Sequence, residues 1–520
     1  VRLYSVSDSP VPQEHTAIVR LNGVELGQTT WENIRFQEAT FPVPGSLLVD
    51  GANQIEVEAF LAGGVQTSSF FVDKFTLAYE RELRAEADRL VFIADAPGAV
   101  TVVGFSGNDL QVLDVTDPLA IRRLTDLNIT SDGLRTSQVS FEAEAGRRYA
   151  ASRASAQPMA GFLRADVPSG LQQSAGAQYV VVAPTHLIGQ ANQLTALRRW
   201  MTTMVVDIED VYDEFNHGLA SPRALQEFMA WAAANWSVAP EYLVLVGAGT
   251  FDYKDYNQLG GNLIPPALVG TPQGIYASDQ LFGDVDGDEV PDVAVGRIPV
   301  LTVAELQGYV QKLRRVERDS GPDWRGSTLF LADDLDQQAG DFKLSANRVS
   351  AHLGPQYTVQ KLYADDFPTP GDVKQPLLDA LNAGVGFFNY IGHGGVGQLA
   401  EEGLLTAVDA AALTNADRPT VMAALTCIAG RFEVPTMVSV AEAMVLNPNG
   451  GAVAAWAPSG LSYNVDAERL NRAFVDAAFG QDITLGQAVR EALATYAGEG
   501  FYRHLLLVYN VFGDPALSMR

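Results

Sequence analysis

The sequence predicts an α/β protein: a mostly parallel sheet with helices on both faces, preceded by all-β domains. Three observations carry this. From Gln178 onward, short apolar and β-branched runs alternate with segments of helical spacing, the pattern of a parallel sheet covered on both sides. Before that point the runs are short, alternate apolar with polar residues and are separated by turn dipeptides, with no competing helical period. Two late runs, Phe387–Ile391 and Thr420–Thr426, end abruptly at His393 and at Cys427, the one cysteine of the chain.

A length of 520 residues predicts about three or four domains. Residues 1–82 hold runs such as Thr16–Leu21 and Gln54–Phe60, set apart by Asn22-Gly23 and Asp50-Gly51, and read as a β-sandwich of jelly-roll type. Residues 83–170 read as a small β domain and linker, the aperiodic stretch 154–174 being the linker. Residues 171–300 and 301–520 read as two α/β subdomains. In the first, Tyr179–Ala183 and Tyr242–Gly247 are buried strands. Leu194, Leu197, Trp200 and Met201 predict a helix over 191–204, and Ser221-Pro222 opens another helix to about Trp236. In the second, 303–318 is a helix, and 328–332, 387–391, 420–426 and 452–456 are strands.

Composition narrows the function. Apolar residues make up 47%, enough for large cores. A net charge of −27 argues against nucleic acid, which needs a basic footprint. No apolar run approaches the ~18–20 residues of a membrane span. The chain begins at Val1 without a signal-like segment, as a mature chain would. A single cysteine allows no internal disulfide.

Cys427 and His393 carry the chemistry. Their separation accommodates a crossover helix between two parallel strands, so both side chains leave the same edge of the sheet, where open α/β sheets place their sites. A thiol must be deprotonated to attack, and a nearby imidazole does this. His393 stands between Gly392 and Gly394-Gly395, which permit a sharp exit and close approach. The N–H groups of Gly394 and Cys427 can form an oxyanion hole for acyl transfer. The competing reading of Cys427 is a small core residue. The other five histidines form no zinc-ligand cluster.

The segment Asn389-Tyr-Ile-Gly-His393-Gly, with Thr426-Cys427, Gly430 and Phe432, resembles the gingipain-type cysteine peptidases, which have a caspase-like fold. Ala441-Glu-Ala443, Gly451–Ala454, Val511–Leu517, Tyr242–Gly247, Ser278–Gln280 and Val295–Arg297 extend the resemblance over residues 178–520. It implies a secreted or cell-surface cysteine endopeptidase acting on peptide or protein substrates through Cys427 and His393, with no organic cofactor. It also implies an acidic residue that orients the imidazole, matched best by Asp334, with Asp333 as the close alternative. Arginine-specific members place an Asp at the base of the pocket for the residue before the cut. Asp341 is the nearest match, and would make that residue basic; a helix N-cap is its other role. Ser459 to Tyr463 would line the same pocket, without the aromatic of those members at the matching place. A sortase-like transpeptidase using the same dyad and a non-catalytic docking protein are the alternatives.

Asp284, Asp286, Asp288 and Asp292 occupy positions 1, 3, 5 and 9 of an acidic turn, the spacing of a calcium loop. Glu289 replaces the usual glycine at position 6. A structural calcium ion is the expectation, a solvated acidic turn the alternative.

Overall fold

Tyr179–Ala183, Tyr242–Val246, Ala294–Ile298 and Phe387–Ile391 are buried along their whole length. A strand apolar on both faces is stable only when both faces are covered. The computed structural model describes residues 1–61, 63–79, 82–131, 136–157, 167–318, 324–499 and 502–519. In it these runs are the heart of a ten-stranded sheet. The strands are β1 (Tyr179–Ala183), β2 (Thr203–Asp207), β3 (Tyr242–Val246), β4 (Ala294–Ile298), β5 (Ser327–Ala332), β6 (Thr358–Tyr363), β7 (Phe387–Ile391), β8 (Thr420–Leu425), β9 (Ala452–Pro458) and β10 (Tyr509–Phe512). Their spatial order is β2-β1-β3-β4-β10-β9-β8-β7-β5-β6.

Every neighbouring pair is parallel except β9 and β10. The sheet is therefore two parallel halves of opposite direction, joined at one antiparallel seam. The carboxyl ends of β5, β7, β8 and β9 share an edge, and this positions the site.

Buried polar groups brace the seam. On β4, Arg297 holds both oxygens of Asp279 at 2.6 and 2.7 Å. It also donates to the Gly247 and Ile264 carbonyls at 2.8 and 2.9 Å and lies over the Phe432 ring. The Asp279 N–H donates to Asn510 Oδ1 on β10. Beyond β10, Asp514 accepts from Arg198 at 2.6 Å and from the Tyr179 hydroxyl at 2.9 Å.

Helices cover both faces. Pro222–Asn235 starts where its signals predict, with the Ser221 hydroxyl accepting the Arg223 N–H. Val303–Arg318 matches its expected bounds. The helix expected over 191–204 is different: it spans Ile188–Thr195, and the chain then turns into β2. Apolar spacing continues past Thr195, but Trp200 is 65% exposed and forms no helical stripe. The β-branched pair Val205-Val206 instead extends the sheet beside β1.

Residues 2–73 pack with residues 168–519 and form two three-stranded sheets. Asn22 (φ 50°) and Gly23 (φ 78°) turn the hairpin between His15–Leu21 and Val24–Trp31, as their sequence predicts. Trp31 packs edge-on against Phe70. The backbone of Gly270 lies against the Tyr4 ring, where a Cβ would come within 2.7 Å. Residues 74–167 form a separate compact unit with a four-stranded and a three-stranded sheet around Val102, Phe105, Val112, Val139 and Phe141. Of the linker expected over 154–174, residues 158–166 lie outside the described residues.

Candidate active site

β7 and β8 run side by side in register, with Ile391 opposite Leu425. Two residues further on, the chains reach His393 and Cys427, which line one open cavity of about 280 Å³. The exit is held by hydrogen bonds between the two strand ends. The Thr426 hydroxyl donates to the Gly392 carbonyl at 2.6 Å, and the Ser462 hydroxyl donates to the Thr426 carbonyl at 2.7 Å. Immediately after the cysteine, Ile428 adopts φ 42°, a strained conformation for a β-branched residue, with its N–H bonded to the Gly460 carbonyl.

The glycines around His393 answer to space. A Cβ on Gly394 would lie 2.5 Å from the Cys427 carbonyl oxygen, and one on Gly392 would lie 2.4 Å from Asp333 Cβ. The Ala400 N–H donates to the His393 carbonyl, which makes Gly394–Leu399 a non-hydrogen-bonded pair of its small ladder. The Gly394 N–H is therefore not consumed by that ladder, and Gly394 abuts the Cys427 backbone.

Cys427 Sγ lies 3.5 Å from the Ser462 carbonyl. Burial pushes the thiol pKa up, and the contacts with Ser462 pull it part of the way back. The resting thiol is protonated at neutral pH and needs a base. The His393 ring is half exposed; its Nε2 lies 3.4 Å from Asp336 Oδ2, and Phe342 meets it edge-on with centroids 5.2 Å apart. The N–H groups of Ala339 and Gln338 hold Asp336 below the usual carboxylate range, so an anion faces the ring.

Asp333 plays a different part. It is buried, and its Oδ2 accepts the backbone N–H of His393 at 2.9 Å and the Tyr390 hydroxyl at 3.3 Å. Tyr390 also donates to the His393 carbonyl at 2.6 Å. The pair thus grips the histidine main chain. Burial pushes Asp333 up to about 6 against the N–H bonds that lower it, and Asp334 and Glu402 add like charge. Because the folded value is raised, Asp333 contributes stability below about pH 4 that is lost as pH rises to about 6. Asp333→Asn is therefore expected to flatten the decline in unfolding free energy between those values, measured by urea denaturation at successive pH. A decline as steep in the variant as in the parent would count against this account.

The structure brings Cys427, His393 and Tyr463 together on one cavity, Tyr463 half exposed on its wall, and packs Gly394 against the Cys427 backbone. It directs other expected residues elsewhere. Asp334 turns its carboxylate toward Asp333 and Glu402, and the acid beside the ring is Asp336. Asp341 is exposed and caps the helix Phe342–Ser350 by accepting the Leu344 N–H at 2.7 Å. Ser459 is buried, its hydroxyl donating to the Ala277 carbonyl. Ser462, within the expected segment Ser459 to Tyr463, does line the cavity, whereas sequence reasoning missed Asp336, Phe342 and Asn464. The only signal for Asp336 is a third acid close behind Asp333-Asp334.

At the acidic turn, carboxylate oxygens of Asp284, Asp286 and Asp292 lie within 4.8 Å of one another. Asp288 turns to the Val290 N–H. Asp284 gathers the N–H groups of Gly287, Asp288 and Glu289. Glu289, in the position usually held by glycine, takes φ 75° and bonds Arg503 at 2.7 Å. Burial pushes the Asp284 carboxyl up. Three clustered carboxylates form an all-oxygen donor set that fits a hard cation.

A model of Peptidase family C25 matches residues 172–520. Gingipain R2 of Porphyromonas gingivalis is 25% identical over 300 residues, covering 52% of this chain and 39% of its own length. Lys-gingipain of the same organism is 27% identical over 199 residues, covering 36% of this chain and 11% of its own length. The chain thus spans well under half the length of these relatives. The crystal structure of the Arg-specific cysteine proteinase gingipain R (RGPB) superposes with a TM-score of 0.56 at 22% identity, covering 67% of this chain and 79% of that one. The complex of the pro- and mature domains of RgpB gives 0.54 at 19%, covering 65% and 79%. At these identities the likeness is one of fold, the caspase-like α/β arrangement.

Proposed function

The chain belongs to Peptidase family C25, a family of cysteine peptidases, and from that premise we propose that it is a cysteine endopeptidase. The observation that carries the proposal is the emergence of Cys427 and His393 from matched positions on adjacent parallel strands into one cavity. His393 takes the Sγ proton, and the thiolate attacks the peptide carbonyl. The oxyanion is held by the Gly394 N–H, joined by that of Cys427. Asp336 stabilises the imidazolium, as the third member of such a constellation does. His393 then gives the proton to the leaving amine as the C–N bond breaks, and water hydrolyses the thioester. Asp333 and Tyr390 are positioning residues that hold the histidine backbone. Peptide or protein substrates follow from this chemistry. A secreted or cell-surface location is part of the proposal and rests on the family likeness alone. No helix among the described residues is long and apolar enough to cross a membrane.

A peptidyl chloromethyl ketone is expected to alkylate Cys427, located by peptide mapping, and to stop cleavage of casein. An unmodified Cys427 together with unimpeded cleavage would sink the assignment.

We further propose a structural calcium ion at Asp284, Asp286 and Asp292, supported by their convergence and by the strained turn at Glu289. Millimolar calcium is expected to raise the unfolding free energy by about 1–3 kcal/mol, and Asp286→Asn to remove most of that gain. An unfolding midpoint indifferent to calcium and to a chelator would falsify it.

A further inference from the structure

Two hydroxyl groups beside Cys427 take no part in the proton transfer to His393. The buried Thr426 carbonyl, next to the nucleophile in the chain, accepts the Ser462 hydroxyl at 2.7 Å. Tyr509 reaches both ends of that bond. Its Oη lies 3.2 Å from Ser462 Oγ and 3.4 Å from the Thr426 carbonyl oxygen. Tyr509 is sealed from solvent at the start of β10, opposite Pro458, where the loop carrying Ser462 begins.

Ser462 is also the residue that the sulfur meets, and the two line one cavity with His393. The Ser462 carbonyl lies 3.5 Å from Sγ. Burial raises the thiol, and Ser462 lowers it through its side chain as well as its backbone. A carbonyl can only accept, so it serves the resting S–H. Once His393 holds the proton, the sulfur is an anion and needs donors. A serine hydroxyl turns freely, so Ser462 can swing its O–H from the Thr426 carbonyl to the thiolate. By itself that would strand a buried carbonyl, which is costly. Tyr509 removes the cost by turning its own O–H from Ser462 Oγ to the Thr426 carbonyl.

We propose that Ser462 is a catalytic residue that donates a hydrogen bond to the Cys427 thiolate, and that Tyr509 is a positioning residue that frees it to do so. In the step the Sγ–H bond breaks, its proton goes to His393 and its electron pair stays on sulfur. Both hydroxyl protons stay on their own oxygens. The role in cleavage rests on the peptidase reading above; the hydrogen bond to the thiolate does not.

The titratable groups around the thiol are His393 after β7, with Asp336 beside its ring, Tyr509 on β10, and Tyr276 on the hairpin Ala267–Thr271 with Gly274–Ser278. Both tyrosines feel the charge of Cys427, and burial raises both, so they remain donors at neutral pH. Arg431 and Glu433 flank Tyr276, and burial pushes Glu433 up to about 7. Replacing Ser462 removes none of these groups.

Because the chain has one thiol, its alkylation rate with iodoacetamide against pH titrates Cys427 with no substrate present. Ser462→Ala is expected to move the midpoint of that profile up by about one pH unit or more and to slow casein cleavage about tenfold or more, the size of a lost hydrogen bond to a charged group. Tyr509→Phe is expected to move the midpoint the same way by less, and Ser462→Thr, which keeps the hydroxyl, to restore the parent's midpoint. An unmoved midpoint in Ser462→Ala overturns the proposal even where cleavage slows, since a purely structural role slows cleavage without changing the titration. An unmoved midpoint in Tyr509→Phe overturns the part given to Tyr509, and a midpoint in Ser462→Thr as high as in Ser462→Ala overturns the part given to the hydroxyl. Urea unfolding is read on every variant; should Ser462→Ala lose its fold, Tyr509→Phe decides the proposal. A parent chain that shows this titration yet leaves casein intact would sink the peptidase reading and leave the hydrogen bond standing.

Discussion

Cys427→Ala is expected to lower kcat/KM for peptide hydrolysis by about 10⁴-fold or more, to the background level. The effect is that large because nothing else can stand in. Cys427 is the only thiol in the chain, and the covalent step needs a sulfur at that point. The substitution is gentle on the fold. The polar contacts of Sγ are with Ser462, and the residue is only partly buried. A stability change within about 1 kcal/mol is expected, in the range of substitutions away from core packing and polar networks. Cleavage of casein, thermal unfolding and labelling by iodoacetamide on parent and variant together separate lost chemistry from lost fold. More than a small residual rate in a variant with an unchanged unfolding midpoint would move the nucleophile elsewhere.

Asp279→Ala is expected to cost about 3–5 kcal/mol of unfolding free energy, the range for breaking a buried ion pair by removing one partner. Arg297 and Asp279 are both sealed from solvent. Removing the carboxylate leaves a guanidinium with two carbonyl partners, the Phe432 face and no hydrogen-bonded carboxylate among the described residues. The loss reaches the seam as well, since the Asp279 N–H is tied to Asn510 on β10. Urea denaturation measures it. The double variant Asp279→Ala with Arg297→Met should recover much of the loss, because the stranded charge goes with it. A single-variant loss below about 1 kcal/mol would mean that water or another group reaches Arg297.

The strands were legible where burial is two-sided. Tyr242–Val246 is a continuous apolar run and Phe387–Ile391 is apolar but for Asn389; both are too short for helices, and both are central strands. The convergence of His393 and Cys427 was legible because glycine, histidine and a lone cysteine end such runs. β2 was not, because Leu197 and Met201 extend a helical spacing across a turn that is set by tertiary contacts of Arg198 with Asp514 and Glu317. The choice among Asp333, Asp334 and Asp336 was not legible either. It depends on the short loop closed by the bridge between Asp336 and Gly340 (φ 107°), which aims successive carboxylates in different directions. The burial of Asn464 Oδ1 without a hydrogen-bond partner among the described residues is a matter of packing and has no counterpart in residue type.

The insertion of β10 between β4 and β9 bears on the timing of assembly. Each parallel half can gather its own strands as the chain leaves the ribosome, since successive elements supply them. The halves acquire a shared edge only when Tyr509–Phe512 enters between them and Asp514 reaches Arg198 and Tyr179. That closure spans a long stretch of chain and is slow by its topology. A nascent or truncated chain lacking residues 509–514 would hold the thiol and the imidazole on a half-sheet with an open, unpaired border. Vectorial synthesis thereby delays completion of the catalytic half until that late segment has been made.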